Sequence, residues 1–188
     1  MKIQKENSLL VVIDMQDFIL KLIKNATPYS TQQVIDKNEK LIDCAEKLAI
    51  PVAFITVTKK ILPQKWQEKM TKLAIKSDLI AHENGNCYTK YKPSAYTIPE
   101  FRAFLEKNNI ETIILSGIIT SNGVRNTARD LLTAGYKVII IVDAMTDRSK
   151  KAHDNAIAEL ESLGASSRTA HFPFELAQGS KEKICHQN

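Results

Sequence analysis

Aliphatic runs alternate along this chain with segments whose apolar positions recur at helical spacing. Five consecutive aliphatic residues at Leu9–Ile13 predict a strand buried on both faces. Similar patterns predict further strands at Val52–Val57, Thr112–Ser116, Lys137–Val142 and, more briefly, Ser167–Ala170. Helices are predicted at Val34–Ala49, around Phe101–Leu105, at Val124–Ala134 and at Ala152–Leu163. This alternation indicates right-handed βαβ units, and so an α/β protein with a three-layer α/β/α Rossmann-like fold and a mainly parallel sheet of about six strands.

Composition favours one ordered domain. The chain has 188 residues, of which 44% are hydrophobic and 25% charged. We expect the domain to cover residues 1–177 and the polar residues 178–188 to form a loosely held tail. The chain has no bilayer-length apolar run, and its start leads into the first strand without a cleavable signal pattern, so we expect a cytoplasmic protein with no membrane partner. The three cysteines, Cys44, Cys87 and Cys185, have no metal-like spacing and are expected to be reduced thiols.

Basic residues are interleaved with 21 acidic ones, so the net charge of +5 does not indicate a nucleic-acid partner. The densest basic feature is a set of lysines at helical spacing, namely Lys65, Lys69, Lys72 and Lys76. They run beside an apolar stripe of Trp66, Met70 and Leu73. We interpret this helix as a solvated face opposite a packing face; the alternative is a lid or a subunit contact.

Polar residues follow several predicted strands, where open α/β sheets bind ligands. Asp14 follows the first strand, the Thr120–Gly123 turn follows the Thr112–Ser116 strand, and Asp143 follows the Lys137–Val142 strand. Asp14 is therefore a candidate active-site residue, although a purely structural role as a cap or turn former stays open. Asp143 is expected to order a loop. Lys90 lies in a segment that Pro93 keeps extended and would by itself be taken for a solvated lysine.

The chain resembles the isochorismatase-like (cysteine hydrolase) superfamily over about residues 8–165. The motifs that carry the resemblance, in order, are Val12–Phe18, Lys90 with Ser94–Tyr96, Gly117–Asp130, Gly135–Tyr136 and Val142–Ala144. The resemblance implies a Rossmann-like sheet, a tendency to form homo-oligomers and hydrolysis of a small-molecule substrate. Most members use an Asp, Lys and Cys triad. By motif position Asp14 and Lys90 fill the first two roles, and Gly123 stands where the nucleophilic cysteine would be.

The resemblance also bears on the surroundings of the triad. It implies a substrate-binding or oxyanion turn at Ile119, Thr120, Asn122 and Val124, and a cis peptide between Ile118 and Ile119. The segment 55–60 lacks the Asp and His pattern of metal-binding nicotinamidases, so we expect no metal, and no cofactor is implied. Isochorismate specificity is not supported, because true isochorismatases carry an aromatic residue and a histidine at the positions of Ile119 and Ser121.

A glycine cannot act as a nucleophile, and the other cysteines are not natural substitutes for one. Removing a nucleophile costs about 10⁶-fold in rate in a well-studied protease, so covalent amide hydrolysis is not expected. What remains is an acid, a lysine, a helix N-terminus and the space that a cysteine side chain would have filled. This set favours a hydrolase that acts on a small polar, anionic metabolite without a cysteine nucleophile. The alternative is a catalytically impaired member that serves as a small-molecule binding or assembly protein.

Overall fold

A computed structural model describes residues 5–75 and 86–170. The strands are β1 Ser8–Ile13, β2 Val52–Val57, β3 Asn86–Lys90, β4 Thr112–Ile118, β5 Lys137–Thr146 and β6 Ser166–Arg168. The helices are α1 Asp17–Leu22, α2 Thr31–Lys47, α3 Gln64–Thr71, α4 Pro99–Lys107, α5 Arg125–Thr133 and α6 Lys150–Ser162. Lys76, Cys185 and the predicted tail lie outside the described residues.

The six strands form one parallel sheet in the order β3-β2-β1-β4-β5-β6. Every residue of β1 is buried, because this strand lies in the middle of the sheet and helices cover both faces. One face packs against α2 through Val34, Leu41 and Ile42. The other packs against α4, α5 and α6 through residues such as Phe101 and Leu131. The predicted three-layer α/β/α fold is confirmed.

Strand β3 was missed by the sequence analysis. Its residues are Asn86–Lys90, and only Lys90 is buried, because β3 pairs with β2 alone among the described strands. An edge strand does not need the apolar run that marks a central strand. Because β3 is an edge strand, the sequence pattern predicted neither the strand nor the position of Lys90 at its end.

Strand β5 is longer than the sequence predicted. It continues to Thr146, so Asp143 lies within the strand and not at its end. The Asp143 carboxylate accepts hydrogen bonds from the Lys37 ammonium at 2.8 Å and from the backbone N–H of Ala170 at 2.6 Å. Asp143 therefore ties α2 to the segment after β6, which agrees with the expected ordering role but removes it from the strand-end cluster.

Helix α3 does not pack as its sequence pattern predicted. Met70 and Leu73 are half-buried, but Trp66 is 60% exposed and no residue of the helix is fully buried. The expectation that Trp66 belongs to the packing face is wrong. The helix is only 8 residues long, and Met70, in its last turn, accepts hydrogen bonds from the Gln16 amide and the Thr58 hydroxyl.

Candidate active site at the carboxyl ends of β1, β3 and β4

Asp14 and Lys90 meet at the carboxyl edge of the sheet. The Lys90 ammonium donates a hydrogen bond to Asp14 Oδ2 at 2.7 Å and a second one to the carbonyl of Pro93 at 2.8 Å. Asp14 follows β1 and Lys90 ends β3, so the long lysine side chain reaches across the end of β2, which lies between them. Asp14 is 6% exposed and Lys90 1%. Two oppositely charged groups are thus held together away from solvent.

The environment of Asp14 raises its affinity for a proton. Burial raises the pKa of the Asp14 carboxyl from 3.8 to about 6, while the Lys90 ammonium lowers it through charge and hydrogen bonding. The effect of burial on the pKa exceeds the effect of Lys90, because the carboxylate loses its contacts with water and gains the attraction of one cation. Asp14 Oδ1 is also buried and accepts no hydrogen bond from the described residues. The carboxyl can therefore both donate and accept a proton close to neutral pH.

The backbone at Asp14 directs its side chain. Asp14 has φ +52°, a left-handed conformation that Asp tolerates better than most residues. Its N–H donates to the carbonyl of Ile55 at 2.8 Å, which continues the pairing of β1 with β2 for one residue. Beside it, Gly117 of β4 has φ +105°, and a Cβ there would lie 2.1 Å from the carbonyl oxygen of Ile13. Only glycine allows β4 to pass so close to the end of β1.

Gly123 lies directly against the Asp14–Lys90 pair. A Cβ built on Gly123 would lie 2.6 Å from Asp14 Oδ2 and 3.1 Å from Lys90 Nζ. The three residues therefore converge as predicted. The expectation of a vacant space in place of the cysteine is wrong, however, because the Asp14 carboxylate occupies it. Without a side chain at position 123, the carboxylate can approach the backbone of the turn.

The predicted substrate-binding turn is a π-helical segment, Thr120–Val124, that leads into α5. The peptide between Ile118 and Ile119 is cis, as predicted. The backbone N–H groups of Asn122 and Val124 both donate to the carbonyl of Ile119, at 3.0 and 3.3 Å. These two N–H groups are thus already used within the turn. Of the turn residues, Ile119, Thr120 and Val124 are buried, whereas Asn122 is exposed.

Residues at the end of β5 and after it form hydrogen bonds with the turn. The Thr120 hydroxyl donates to the carbonyl of Thr146 at 3.0 Å and lies 3.0 Å from Nδ1 of the buried His153. Because the hydroxyl has one proton, His153 Nδ1 is the donor in the second contact. Burial lowers the pKa of His153, which favours the neutral imidazole. The buried Asp147 accepts the Ser121 N–H at 2.6 Å through Oδ2.

Sequence reasoning gave no role to Asp147 or to Gln16. Gln16 is fully buried, accepts the N–H of Val57 at 2.8 Å and donates to the carbonyls of Val57 and Met70 at 3.0 and 2.6 Å. It joins the segment after Asp14 to the end of β2 and to α3. The position of Gln16, two residues after Asp14, could have predicted this role, because a buried polar side chain there must form hydrogen bonds with the backbone.

The cysteines of the described chain lie away from the pair. Cys87 is exposed on β3, and alternation along a strand turns it to the face opposite Lys90, three residues later. Cys44 is half-buried in α2. Within residues 5–75 and 86–170, no group of three or more His, Cys, Asp or Glu side chains is arranged to hold a metal ion. The same part of the chain contains no helix long and apolar enough to cross a membrane.

Comparison with known proteins shows the family to which the chain belongs. A model of the isochorismatase domain matches residues 8–171. The chain belongs to the isochorismatase family. It is similar to the uncharacterized isochorismatase family protein YecD of Escherichia coli O157:H7, with 28% identity over 176 residues that cover 84% of this chain and 89% of YecD.

Solved structures of other proteins share the fold. The MAR1 ribonuclease from Caenorhabditis elegans is 28% identical, with a TM-score of 0.70 over 90% of this chain and 80% of that one. The YcaC gene product from Escherichia coli, an octameric hydrolase of unknown specificity, is 16% identical, with a TM-score of 0.72 over 89% of this chain and 78% of that one. The isochorismatase-family protein described here thus has the family's hydrolase fold, and at least one structural relative is an octamer.

Proposed function

We propose that this isochorismatase-family protein hydrolyses a small polar, anionic metabolite without a cysteine nucleophile. The observation that carries the proposal is the buried Asp14–Lys90 pair closing on Gly123, with a hydrogen bond of 2.7 Å between the two charged groups. The pair keeps an acid–base group and a cation but has no thiol at position 123. Water is then the nucleophile, and Asp14 moves the proton.

The chemistry of the pair supports this assignment. A general acid or base works best when its pKa lies near the operating pH, and the Asp14 pKa of about 6 meets that condition. Lys90 supplies a buried positive charge for an oxygen that becomes negative during the reaction. In this proposal Ile119, Thr120, Asn122 and Val124 form the wall of the substrate site, and binding of substrate moves the Asp14 carboxylate away from Gly123.

The proposal requires neither a metal nor a cofactor. It takes the protein to be cytoplasmic and a homo-oligomer that acts on a small-molecule substrate. YecD and the YcaC gene product do not name that substrate, since one is an uncharacterized family member and the other is a hydrolase of unknown specificity.

A second candidate is a small-molecule binding or assembly protein that has lost turnover. It is favoured by the distance of 2.6 Å between Asp14 Oδ2 and the Cβ position of Gly123, because the carboxylate then blocks the place where a nucleophile would act. In this candidate the Asp14–Lys90 pair recognises a ligand and does not transform it.

Turnover assays separate the two candidates. Purified protein is incubated with isochorismate, nicotinamide and carbamoyl compounds, and product formation and thermal stability are measured together. Turnover that is lost in both Asp14→Asn and Lys90→Met supports the hydrolase, provided that both variants stay folded. Ligand-dependent stabilisation with no turnover supports the binding protein. Turnover that survives in Asp14→Asn would contradict the catalytic role of Asp14.

The variant Gly123→Cys tests how the site is built. If the protein is an amidase whose nucleophile was replaced, the new thiol should gain a low pKa, react rapidly with iodoacetamide and restore some amidase activity. If water is the nucleophile, the new side chain should compete with Asp14 for the same space and lower native turnover. A folded variant whose thiol reacts no faster than free cysteine, and whose turnover is unchanged, would contradict the placement of Gly123 in the site.

A further inference from the structure

The positive charge of this chain is concentrated in one segment next to the candidate active site. Between Thr58 and Ile75 there are five lysines and one glutamate, a net charge of +4, whereas the whole chain of 188 residues carries +5. The remainder of the chain is therefore nearly neutral. All five of these lysines are exposed. Such a local excess attracts anions to one side of the molecule.

Large apolar side chains are exposed among these lysines. Ile61 is 90% exposed, Trp66 60% and Tyr91 47%. The ammonium of Lys60 lies 5.0 Å from the centre of the Tyr91 ring, and that of Lys69 lies 6.0 Å from the centre of the Trp66 ring. Each of the two exposed rings thus has a cation beside it.

Hydrogen bonds hold this surface to the segment that follows Asp14. The Gln16 side chain donates to the carbonyl of Met70 at 2.6 Å, and the N–H of Ala74 donates to the carbonyl of Met15 at 2.9 Å. No residue of α3 is fully buried, so the helix is attached mainly through its carboxyl end and presents its lysines and Trp66 to solvent.

We propose that this surface binds single-stranded nucleic acid. We define it as the lysine–aromatic surface, which comprises Lys59, Lys60, Lys65, Trp66, Lys69 and Tyr91. Lysines beside exposed aromatic rings offer positive charge for the phosphates of a strand and flat faces on which its bases can stack. The inference departs from the expectation based on overall composition, which did not consider where along the chain the excess lysines lie. It does not depend on the proposed hydrolase.

Other occupants fit the surface less well. A membrane-binding face needs a continuous apolar stripe, and Ile61 is the one large aliphatic side chain among the exposed residues of this segment. A protein partner would need a desolvated apolar core, but lysines already lie beside both rings. The charge and the two rings together favour a flexible polyanion that carries aromatic groups.

The number of lysines on the surface sets the expected salt dependence and affinity of binding. If four lysines neutralise four phosphates, log Kd for a single strand changes with log salt concentration with a slope of about 3. We expect a Kd on the order of 10⁻⁵ M at physiological salt, as for binding without sequence preference.

Trp66 is the only tryptophan of the chain, so intrinsic fluorescence reports on this surface directly. The full chain is titrated with 12-nucleotide oligouridylate and oligothymidylate, and separately with phosphatidylserine–phosphatidylcholine vesicles. Saturable quenching of Trp66 by the oligonucleotides, with the salt dependence given above, supports the proposal. A blue shift with vesicles and no response to oligonucleotides overturns it in favour of a membrane surface. No response to either also overturns it.

Matched variants locate the binding. Lys65→Gln/Lys69→Gln should weaken oligonucleotide binding about tenfold and lower the salt slope by about 1.4, measured by fluorescence polarisation of a labelled strand. Lys107→Gln/Lys151→Gln removes two exposed lysines from other helices and should leave binding nearly unchanged. Equal losses in both double variants would contradict a specific surface. Trp66→Ala should also weaken binding, since stacking is lost while the charge is kept.

Discussion

Asp14 Oδ2 lies 2.6 Å from the position that a Cβ atom would take at Gly123. The acid of the predicted site thus occupies the place of the side chain that the site lacks. The Asp14 carboxylate and the Lys90 ammonium face each other beside this position at 2.7 Å, and residue 123 supplies no thiol.

The stability of the protein should depend on pH through Asp14. Its pKa is raised from 3.8 to about 6, so the folded protein holds this proton more tightly than the unfolded chain does. The resulting stability is fully present below pH 3.8 and is lost as the pH rises through about 6. The difference amounts to about 3 kcal/mol.

Asp14→Asn provides the reference for this effect because it cannot titrate. Urea unfolding of both proteins at pH 4 and pH 7 should show wild type losing about 2 kcal/mol relative to the variant as the pH rises, because the unfolded chain is already partly ionised at pH 4. A constant difference between the two proteins across this range would show that the Asp14 pKa is not raised.

Gly123→Ala should destabilise the protein because the new Cβ meets Asp14 Oδ2. Since Gly123 does not have a positive φ, alanine would gain up to about 1 kcal/mol from reduced backbone entropy, but the crowded contact should cost about 1–3 kcal/mol. In an Asp14→Ala background that cost should fall, and only the contacts at 3.1 Å with Ile13 Cγ2 and Lys90 Nζ remain. The double-mutant cycle, measured by chemical unfolding, should give a coupling energy of about 1–3 kcal/mol.

The control for this cycle is Gly135→Ala, which meets no atom within 4 Å but has φ +92°. Its cost comes from backbone conformation and should be the same with and without the Asp14 side chain. Additivity of Gly123→Ala with Asp14→Ala would mean that the two residues do not touch in solution.

Lys90→Met should raise the pKa of Asp14 above about 6, since the ammonium lowers it. At pH 7 the variant must either bury a carboxylate without a cation or take up a proton that the wild type does not hold, so we expect a loss of up to about 3 kcal/mol in stability. The loss should shrink at pH 5, where Asp14 is protonated. The Asp14 ¹³Cγ chemical shift as a function of pH reports the pKa, with Lys92→Met, an exposed neighbour, as control. An Asp14 pKa at or below the wild-type value would refute this account of the pair.

Asp147→Ala should loosen the turn that carries Gly123. It removes the acceptor of the Ser121 and Arg148 N–H groups, at 2.6 and 2.7 Å, and we expect a loss of about 2–3 kcal/mol. Native-state hydrogen exchange should show the Ser121 amide exchanging faster than the global loss of stability explains. Asp143→Ala, in β5, should instead affect the amide of Ala170. Unchanged exchange at Ser121 in a folded Asp147→Ala protein would rule out the anchor.

Local patterns in the sequence determined the central part of the fold. The aliphatic run before Asp14 predicts a doubly buried strand, which β1 is, and β2 has the predicted bounds, Val52–Val57. Because parallel strands all end at the same edge of a sheet, the position of Asp14 at the site followed from the pattern alone. Motif resemblance added Lys90, Gly123 and the cis peptide at Ile118, which no periodicity reveals.

The tertiary structure alone decided what fills the site and what holds it. The approach of Asp14 to Gly123 depends on side-chain positions of residues that lie far apart in sequence. The roles of Gln16 and Asp147 depend on which backbone groups the folded chain leaves without partners, and a pattern of polar and apolar residues does not contain that information. Edge strand β3 and exposed Trp66 escaped prediction for a related reason. Burial is a property of the packed molecule, and a local sequence pattern indicates it only where both faces of an element are covered.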